Sequence, residues 1–268
     1  MKSMTNIKVS ILGCGNIGLS LLQGFVKDNN VPARNITATR RNVEELIQLK
    51  ELGVRLTTDN IKAIKDSTLI IIAVKPYNIL SILEEIKDHL NPKKHILISV
   101  TAGISISQIM DIVKVPVPIF RSMPNISASV GKSLSCICHN GADIKDIESV
   151  KSLFDIIGTT MTIDEELMQS ATILGACGIA YVLRFIRAMI QGGIQIGFDA
   201  KTASAIVNQT VKGAAELLIE RHEHPEFEID KVTTPKGCTI VGLNEMEHNG
   251  FSSSLIKGIV ASYEKIEK

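Results

Sequence analysis

Gly13-Cys14-Gly15-Asn16-Ile17-Gly18 reads G-x-G-x-x-G, a spacing suited to phosphate binding without any reactive side chain. Gly13 permits a tight turn, Gly15 lets the backbone approach a pyrophosphate, and Gly18 lets a helix pack closely on a strand. The helix that follows would turn unpaired N–H groups and its positive dipole end toward the phosphates. A glycine-rich turn without ligand is the bland alternative, but a strand-like run precedes this loop and a helical pattern follows it. Further on, Thr39-Arg40-Arg41-Asn42 stands where an Asp or Glu would hold a ribose 2′-hydroxyl. Two guanidinium groups would clamp a 2′-phosphate instead, which points to NADP(H). The competing reading is that both arginines are solvated residues at a helix start.

Later segments could complete such a site. Ala73-Val74-Lys75-Pro76 and Val100-Thr101-Ala102-Gly103 close two more strand-like runs. Ligands of doubly wound sheets bind at the carboxyl ends of strands. Thr101, Ala102 and Gly103 are small enough for a nicotinamide face, while Lys75 reads equally well as a surface cation. Arg121-Ser122-Met123-Pro124-Asn125 closes another run. Toward the C-terminus, the turn 233–239 precedes a helix starting near Ile240, so its N–H groups could receive a carboxylate. Thr239 could also be a plain helix cap.

The six His show no metal spacing, and His222 and His224 do not share a helix face. The cysteines fall at 14, 136, 138, 177 and 238, an odd count without framework spacing, which argues against a secreted disulfide scaffold. Cys177 and Cys238 read as small packing residues, with a redox pair as the alternative.

These residues need elements to hold them. Residues 7–12, 35–39, 69–74, 95–100 and 118–121 read as strands; 19–28, 42–52, 79–90 and 107–113 read as helices. That alternation predicts an α/β fold, a doubly wound parallel sheet of the Rossmann type covered on both faces. Two further strands near 133–138 and 159–163 flank a helix over 143–156. After about residue 164 the pattern becomes all-helical, over 165–176, 179–196, 200–222, 239–249 and 252–265. The expected domains are therefore 1–163 for the nucleotide and 164–268 for an all-α second domain.

The chain has 268 residues, enough to bury about three quarters of its unfolded surface. Its formal net charge of +1 offers no basic footprint for nucleic acid, and 4% aromatics supply few stacking platforms. Residues 1–8 lack a signal-peptide apolar region. The most apolar stretch, 178–198, carries Arg184, Arg187 and Gln191, against a membrane span. The expectation is a cytoplasmic, soluble protein.

Taken together, these motifs resemble the pyrroline-5-carboxylate reductase family along nearly the whole chain. The resemblance runs through the glycine loop, the strand end at Lys75-Pro76, the Arg121–Asn125 element, Ala171-Thr172-Ile173, Ala180-Tyr181 and Gln209-x-x-x-Gly213-Ala214-Ala215. It is most specific at Val232-Thr233-Thr234-Pro235-Lys236-Gly237-Cys238-Thr239, similar to V-x-[ST]-P-G-G-x-T. The family reduces 1-pyrroline-5-carboxylate, a cyclic imine, to proline with NAD(P)H. The resemblance implies Asn60 as a contact to the ribose or 2′-phosphate. It implies Thr234, Lys236, Gly237, Cys238 and Thr239 as the substrate loop, with the Thr239 hydroxyl near the ring nitrogen. It also implies a homodimer built by the helical domain, and dimers in this family often associate into decamers.

The departures fall on the substrate half. Lys236 replaces a glycine, the family's G-S-G-P-A-Y becomes Gly175-Ala176-Cys177-Gly178-Ile179-Ala180-Tyr181, and Arg187 stands where an acidic residue is usual. They keep two alternatives open: an NADP-dependent reductase of another imine or keto acid, and a non-catalytic NADP-binding paralogue.

Overall fold

The computed structural model describes residues 6–28 and 30–267. The expectation about a leader rests partly on residues 1–5, which lie outside the described residues. The described residues fall into two compact units, one running to Cys177 and the other spanning Gly178–Lys265.

The first unit holds one sheet of eight strands: β1 (Val9–Leu12), β2 (Ile36–Thr39), β3 (Arg55–Thr57), β4 (Leu69–Ile72), β5 (Ile96–Ser99), β6 (Ile119–Met123), β7 (Ser133–Asn140) and β8 (Gly158–Thr162). Their order is β3-β2-β1-β4-β5-β6-β7-β8, parallel throughout except that β6 and β7 are antiparallel. Between β1 and β4 the winding reverses, and the crevice for a ligand opens at such a switch point. All four residues of β4 are fully buried, because helices cover both faces. That explains why Leu69-Ile70-Ile71-Ile72 does not alternate.

The helices of this unit are α1 (Asn16–Asp28), α2 (Ile47–Glu51), α3 (Asn60–Lys65), α4 (Pro76–Ile86), α5 (Ile106–Val113), α6 (Ile144–Asp155) and α7 (Met168–Ala171). One core, with Ile11, Phe25, Ile71, Phe120 and Phe154, covers one face; Leu12, Ile70, Leu83, Ile109 and Met168 belong to the core on the other. Phe25 and Phe154 meet edge-to-face with centroids 6.4 Å apart. Local signals set the helix starts. The Asp59 side chain accepts the Lys62 N–H at 2.8 Å to cap α3, and Ser105 and Gln108 form a reciprocal capping box on α5.

Three expectations are corrected here. The helix expected over 42–52 is a 3₁₀ turn, Val43–Leu46, followed by the short α2, because Asn42 caps the turn first. β3 and α3 went unseen: β3 is a three-residue, partly exposed edge strand, too short for a periodic signal. The helix expected over 165–176 is instead a 3₁₀ turn at Glu165–Leu167, α7, and a π-helical turn at Thr172–Cys177.

The second unit contains α8 (Gly178–Gln195), α9 (Ala200–Arg221), α10 (Pro225–Lys231), α11 (Cys238–His248) and α12 (Phe251–Glu267). α10 was not foreseen; Pro225 at its first position and the His224 side chain at its cap start it. α8 meets α9 closely: a Cβ on Gly193 would stand 3.1 Å from the Ala203 Cβ. Tyr181 donates to Ser262 Oγ at 2.7 Å, and the Phe185 and Phe251 rings lie 6.1 Å apart. Few other side chains of this unit are buried; α8, α11 and α10 have no buried residue. One helical run, Glu165–Gln195, is by length and composition alone long and apolar enough to cross a bilayer.

Candidate functional site

A cleft of about 850 Å³ opens at the carboxyl ends of β1, β2, β4 and β5. That volume lies within the range of small-molecule sites. Its floor is the glycine loop. Gly13 has φ 90°, and a Cβ there would stand 2.4 Å from Val74 Cγ1. A Cβ on Gly18 would lie 2.5 Å from the Gly13 carbonyl oxygen, so only glycine lets α1 start this close to β1. A Cβ on Gly15 would meet nothing within 4 Å, leaving the space a pyrophosphate needs. α1 begins at Asn16 with no acidic residue in its first turn, so its N–H groups face no competing anion of their own helix. These features fit a dinucleotide.

The loop is tied to the end of β2. Gly13 N–H donates to the Thr39 carbonyl and to Thr39 Oγ1, each at 3.2 Å, and Cys14 N–H donates to the Thr39 carbonyl at 2.9 Å. Thr39 Oγ1 in turn donates to Asn60 Oδ1 at 2.7 Å, and Asn60 Nδ2 donates to Glu85 Oε2 at 2.9 Å. Asn60 thus lines the cleft and orients Thr39. Arg40 Nη1 donates to the Cys14 carbonyl at 2.8 Å, while its Nη2 pairs with Glu45; Arg41 is exposed on the cleft rim. The Cys14 thiol is buried, and burial pushes its pKa up to about 12, partly opposed by Arg40. The Cys14 side chain packs in the core beneath the loop.

Of the expected cofactor residues, Gly13, Cys14, Gly15, Asn16, Ile17, Thr39, Arg40, Arg41, Asn60, Ala73, Val74, Lys75 and Ala102 line this one cleft. Gly18, Pro76, Thr101 and Gly103 are not among the residues that line it; Gly18 and Thr101 are buried, Pro76 and Gly103 exposed. Pro76 opens α4, and Thr101 Oγ1 donates to the Val74 carbonyl at 3.1 Å, which braces the end of β4. The sequence reading did not single out Glu45, Thr58, Tyr77, Asn78 or Ser81, which also line it. The last three follow from a helix that starts at Pro76, directly after Lys75, a signal present in the sequence.

The far wall comes from the Arg121–Asn125 element and the π-helical turn. Met123, Pro124, Asn125, Thr172 and Ala176 line it. Asn125 Nδ2 donates to the Gly175 carbonyl at 3.0 Å, so a strand end holds a carbonyl of the widened turn. π-turns are frequent at functional sites. Beneath them, buried Arg121 donates through Nη1 to Glu165 Oε1 at 2.9 Å, and the same oxygen accepts the Ile106 N–H at 2.7 Å.

Thr234, Lys236, Gly237, Cys238 and Thr239 come together in one turn of the helical unit. Gly237 N–H donates to the Thr234 carbonyl at 2.9 Å, and a Cβ on Gly237 would lie 2.5 Å from Thr234 Oγ1. Gly237 is the cap of α11, so Thr239 is its second helical residue and not its cap. The Thr239 side chain is exposed, as are those of Lys236 and Cys238. Lys236 adopts φ 61°, a conformation that explains the glycine expected at this place.

Comparison with known proteins agrees with both units. Residues 165–268 match the family model described as pyrroline-5-carboxylate reductase dimerisation, and residues 8–103 match one described as NADP oxidoreductase, coenzyme F420-dependent. Pyrroline-5-carboxylate reductase 2 of Dictyostelium discoideum is 43% identical over 98% of this chain and 93% of its own. Pyrroline-5-carboxylate reductase 1 of the same organism is 42% identical over 96% of this chain, which spans about half (49%) of that longer protein. The crystal structure of Plasmodium falciparum pyrroline carboxylate reductase with NADP bound superposes with a TM-score of 0.90 at 28% identity, covering 98% of each chain. The glycine cleft, the helical unit and this identity along the full length make the chain a member of the pyrroline-5-carboxylate reductase family.

Proposed function

We propose that this protein reduces 1-pyrroline-5-carboxylate to L-proline with NADPH, the last step of proline biosynthesis, as a cytoplasmic homodimer. The observation that carries the reading is the family match along the whole chain, joined to an intact dinucleotide cleft. Gly13, Gly15 and the first turn of α1 would hold the pyrophosphate, and Arg40 with Arg41 the 2′-phosphate. Val100, Ala102 and Met123 give the opposite end an apolar wall suited to the nicotinamide. Bound there, NADPH would supply the hydride. The imine nitrogen can enter already protonated, so the protein needs to orient, hold the carboxylate and exclude water more than to move protons. The turn 234–239 is our candidate for the carboxylate. Family resemblance alone puts the Thr239 hydroxyl near the ring nitrogen, where its oxygen would accept the N–H of the protonated imine.

Oligomerisation is supported by the match to a dimerisation model, and the homodimer by the apolar side chains that α8 and α12 leave uncovered in a single chain. That same pairing accounts for the apolar run Glu165–Gln195 without a bilayer. Light scattering at micromolar concentration without detergent separates dimer from decamer. The scattered cysteines support a reducing compartment.

Lys236 favours one second reading, a reductase of another imine or a keto acid. NADPH oxidation with 1-pyrroline-5-carboxylate beside a panel of cyclic imines and keto acids decides. Turnover of the pyrroline above all others supports the proposal. Turnover of another substrate alone, or cofactor binding without any turnover, overturns it. NADPH should bind more tightly than NADH, and replacing both Arg40 and Arg41 by Ala should remove most of that preference; equal affinities in the unmodified protein would refute the assignment.

A further inference from the structure

The cleft end that holds Arg40, Arg41 and Asn42 also contains a carboxylate, that of Glu45. β2 itself ends in Thr39 and carries none. Glu45 arrives from the 3₁₀ turn Val43–Leu46, whose entry is fixed by Asn42 Oδ1 accepting the Glu44 N–H at 3.1 Å. Its side chain is 53% exposed and pairs with Arg40 Nη2. Arg40 is anchored separately through Nη1 to the Cys14 carbonyl. Arg40, one of the two guanidinium groups at this end of the cleft, is therefore held in position by the glycine loop and engaged by an anion of the chain itself.

We propose that Glu45 is a specificity-determining residue for the nicotinamide cofactor. Against NADP(H), its carboxylate competes with the 2′-phosphate for Arg40. With NAD(H), it accepts a hydrogen bond from the ribose 2′-hydroxyl, the task a carboxylate at the end of the second strand performs in NAD-binding folds. An exposed ion pair is weak, so a dianionic phosphate displaces it, but at a cost in affinity. Arg40 and Glu45 together let one cleft accept both cofactors, with the preference for NADP(H) held below what two arginines alone would give. The inference rests on the reading of Arg40 and Arg41 as the 2′-phosphate site.

The test is a titration of NADPH and of NADH, followed by nucleotide fluorescence, which the absence of Trp keeps free of tryptophan energy transfer. Glu45→Gln is expected to tighten NADPH by about two- to fivefold and to weaken NADH by about as much, tilting their ratio by roughly tenfold. Glu45→Ala must move the ratio in the same direction. Glu44→Gln removes a charge one residue away, outside the cleft, and is expected to leave the ratio alone. A ratio unmoved by Glu45→Gln, or moved equally by Glu44→Gln, overturns the proposal. Arg40→Ala separates the two levels. If it weakens NADPH while Glu45→Gln changes nothing, only the role of Glu45 falls. If it leaves NADPH binding intact, the 2′-phosphate reading falls and takes the proposal with it.

Discussion

Lys236 and Thr239 sit three residues apart in the same turn, and the structure separates what each can contribute. Because Gly237 caps α11, the Thr239 hydroxyl is free of capping duty. Thr239→Val keeps the shape and removes only that hydroxyl. We expect kcat/KM for the imine to fall by the equivalent of about 1–3 kcal/mol, with an unchanged melting temperature and NADPH affinity. Lost stability with full kcat/KM would mean the residue is structural. Lys236 holds φ 61°, which costs a non-glycine residue about 1 kcal/mol. Lys236→Gly should therefore raise the melting temperature by about 2–4 °C. Its KM assigns the side chain: a rise means the ammonium meets the substrate carboxylate, and a fall means it narrows the site. At this scale the sequence was informative where a motif has fixed spacing. The glycine loop, Arg40 and Asn60 were legible, whereas Glu45 was not, since its place in the cleft depends on a capped 3₁₀ turn that helical periodicity does not reveal.

Between elements, two buried polar groups couple local structure to stability. Arg121 on β6 is anchored by Glu165, whose carboxylate also receives the first N–H of α5. Glu165→Gln leaves the buried guanidinium without its counter-charge; the 35% exposure of Glu165 softens the loss to about 2–3 kcal/mol, read as a lower melting temperature. His95, just ahead of β5, accepts the Asn91 N–H on Nδ1 at 3.0 Å and is buried. Burial first, and Lys94 second, lower its pKa below the usual 6.5. The unfolded chain therefore takes up the proton first. Stability present above pH 6.5 is lost as the pH falls toward the folded-state pKa. Melting curves between about pH 7 and about pH 5 should show this loss, and His95→Asn should flatten it. The sheet was legible because its buried strands are short runs rich in β-branched and apolar residues, unbroken in β4, that alternate with helical patterns. β3 was too short and exposed to give such a run, and the π-turn at Thr172–Cys177 differs from an α-helix only in which carbonyl each N–H meets, which apolar spacing barely records.

Across the whole molecule, the contrast lies between a unit with two complete cores and a unit whose helices bury little. Leu183 on α8 is 53% exposed, with Val182, Phe185 and Ile194 also uncovered on that helix. If a second copy covers this surface, the apparent melting temperature rises with protein concentration. Leu183→Arg should yield monomers by light scattering and abolish turnover. A monomer in the unmodified protein would refute the homodimer. The small and apolar residues of these helices announced the helices themselves, but not what covers them.

The five free thiols lie at graded depths: Cys14, Cys136 and Cys138 are buried, Cys177 is partly covered and Cys238 is exposed. They form a built-in set of clocks for alkylation. Cys238 should be labelled first, Cys177 later, and Cys14 only when the glycine loop opens, since its proton is held to about pH 12 while it stays buried. The labelling rate of Cys14, followed peptide by peptide in a mass spectrometer, is then a direct meter of how often the nucleotide cradle comes apart, and a bound dinucleotide should slow that clock alone.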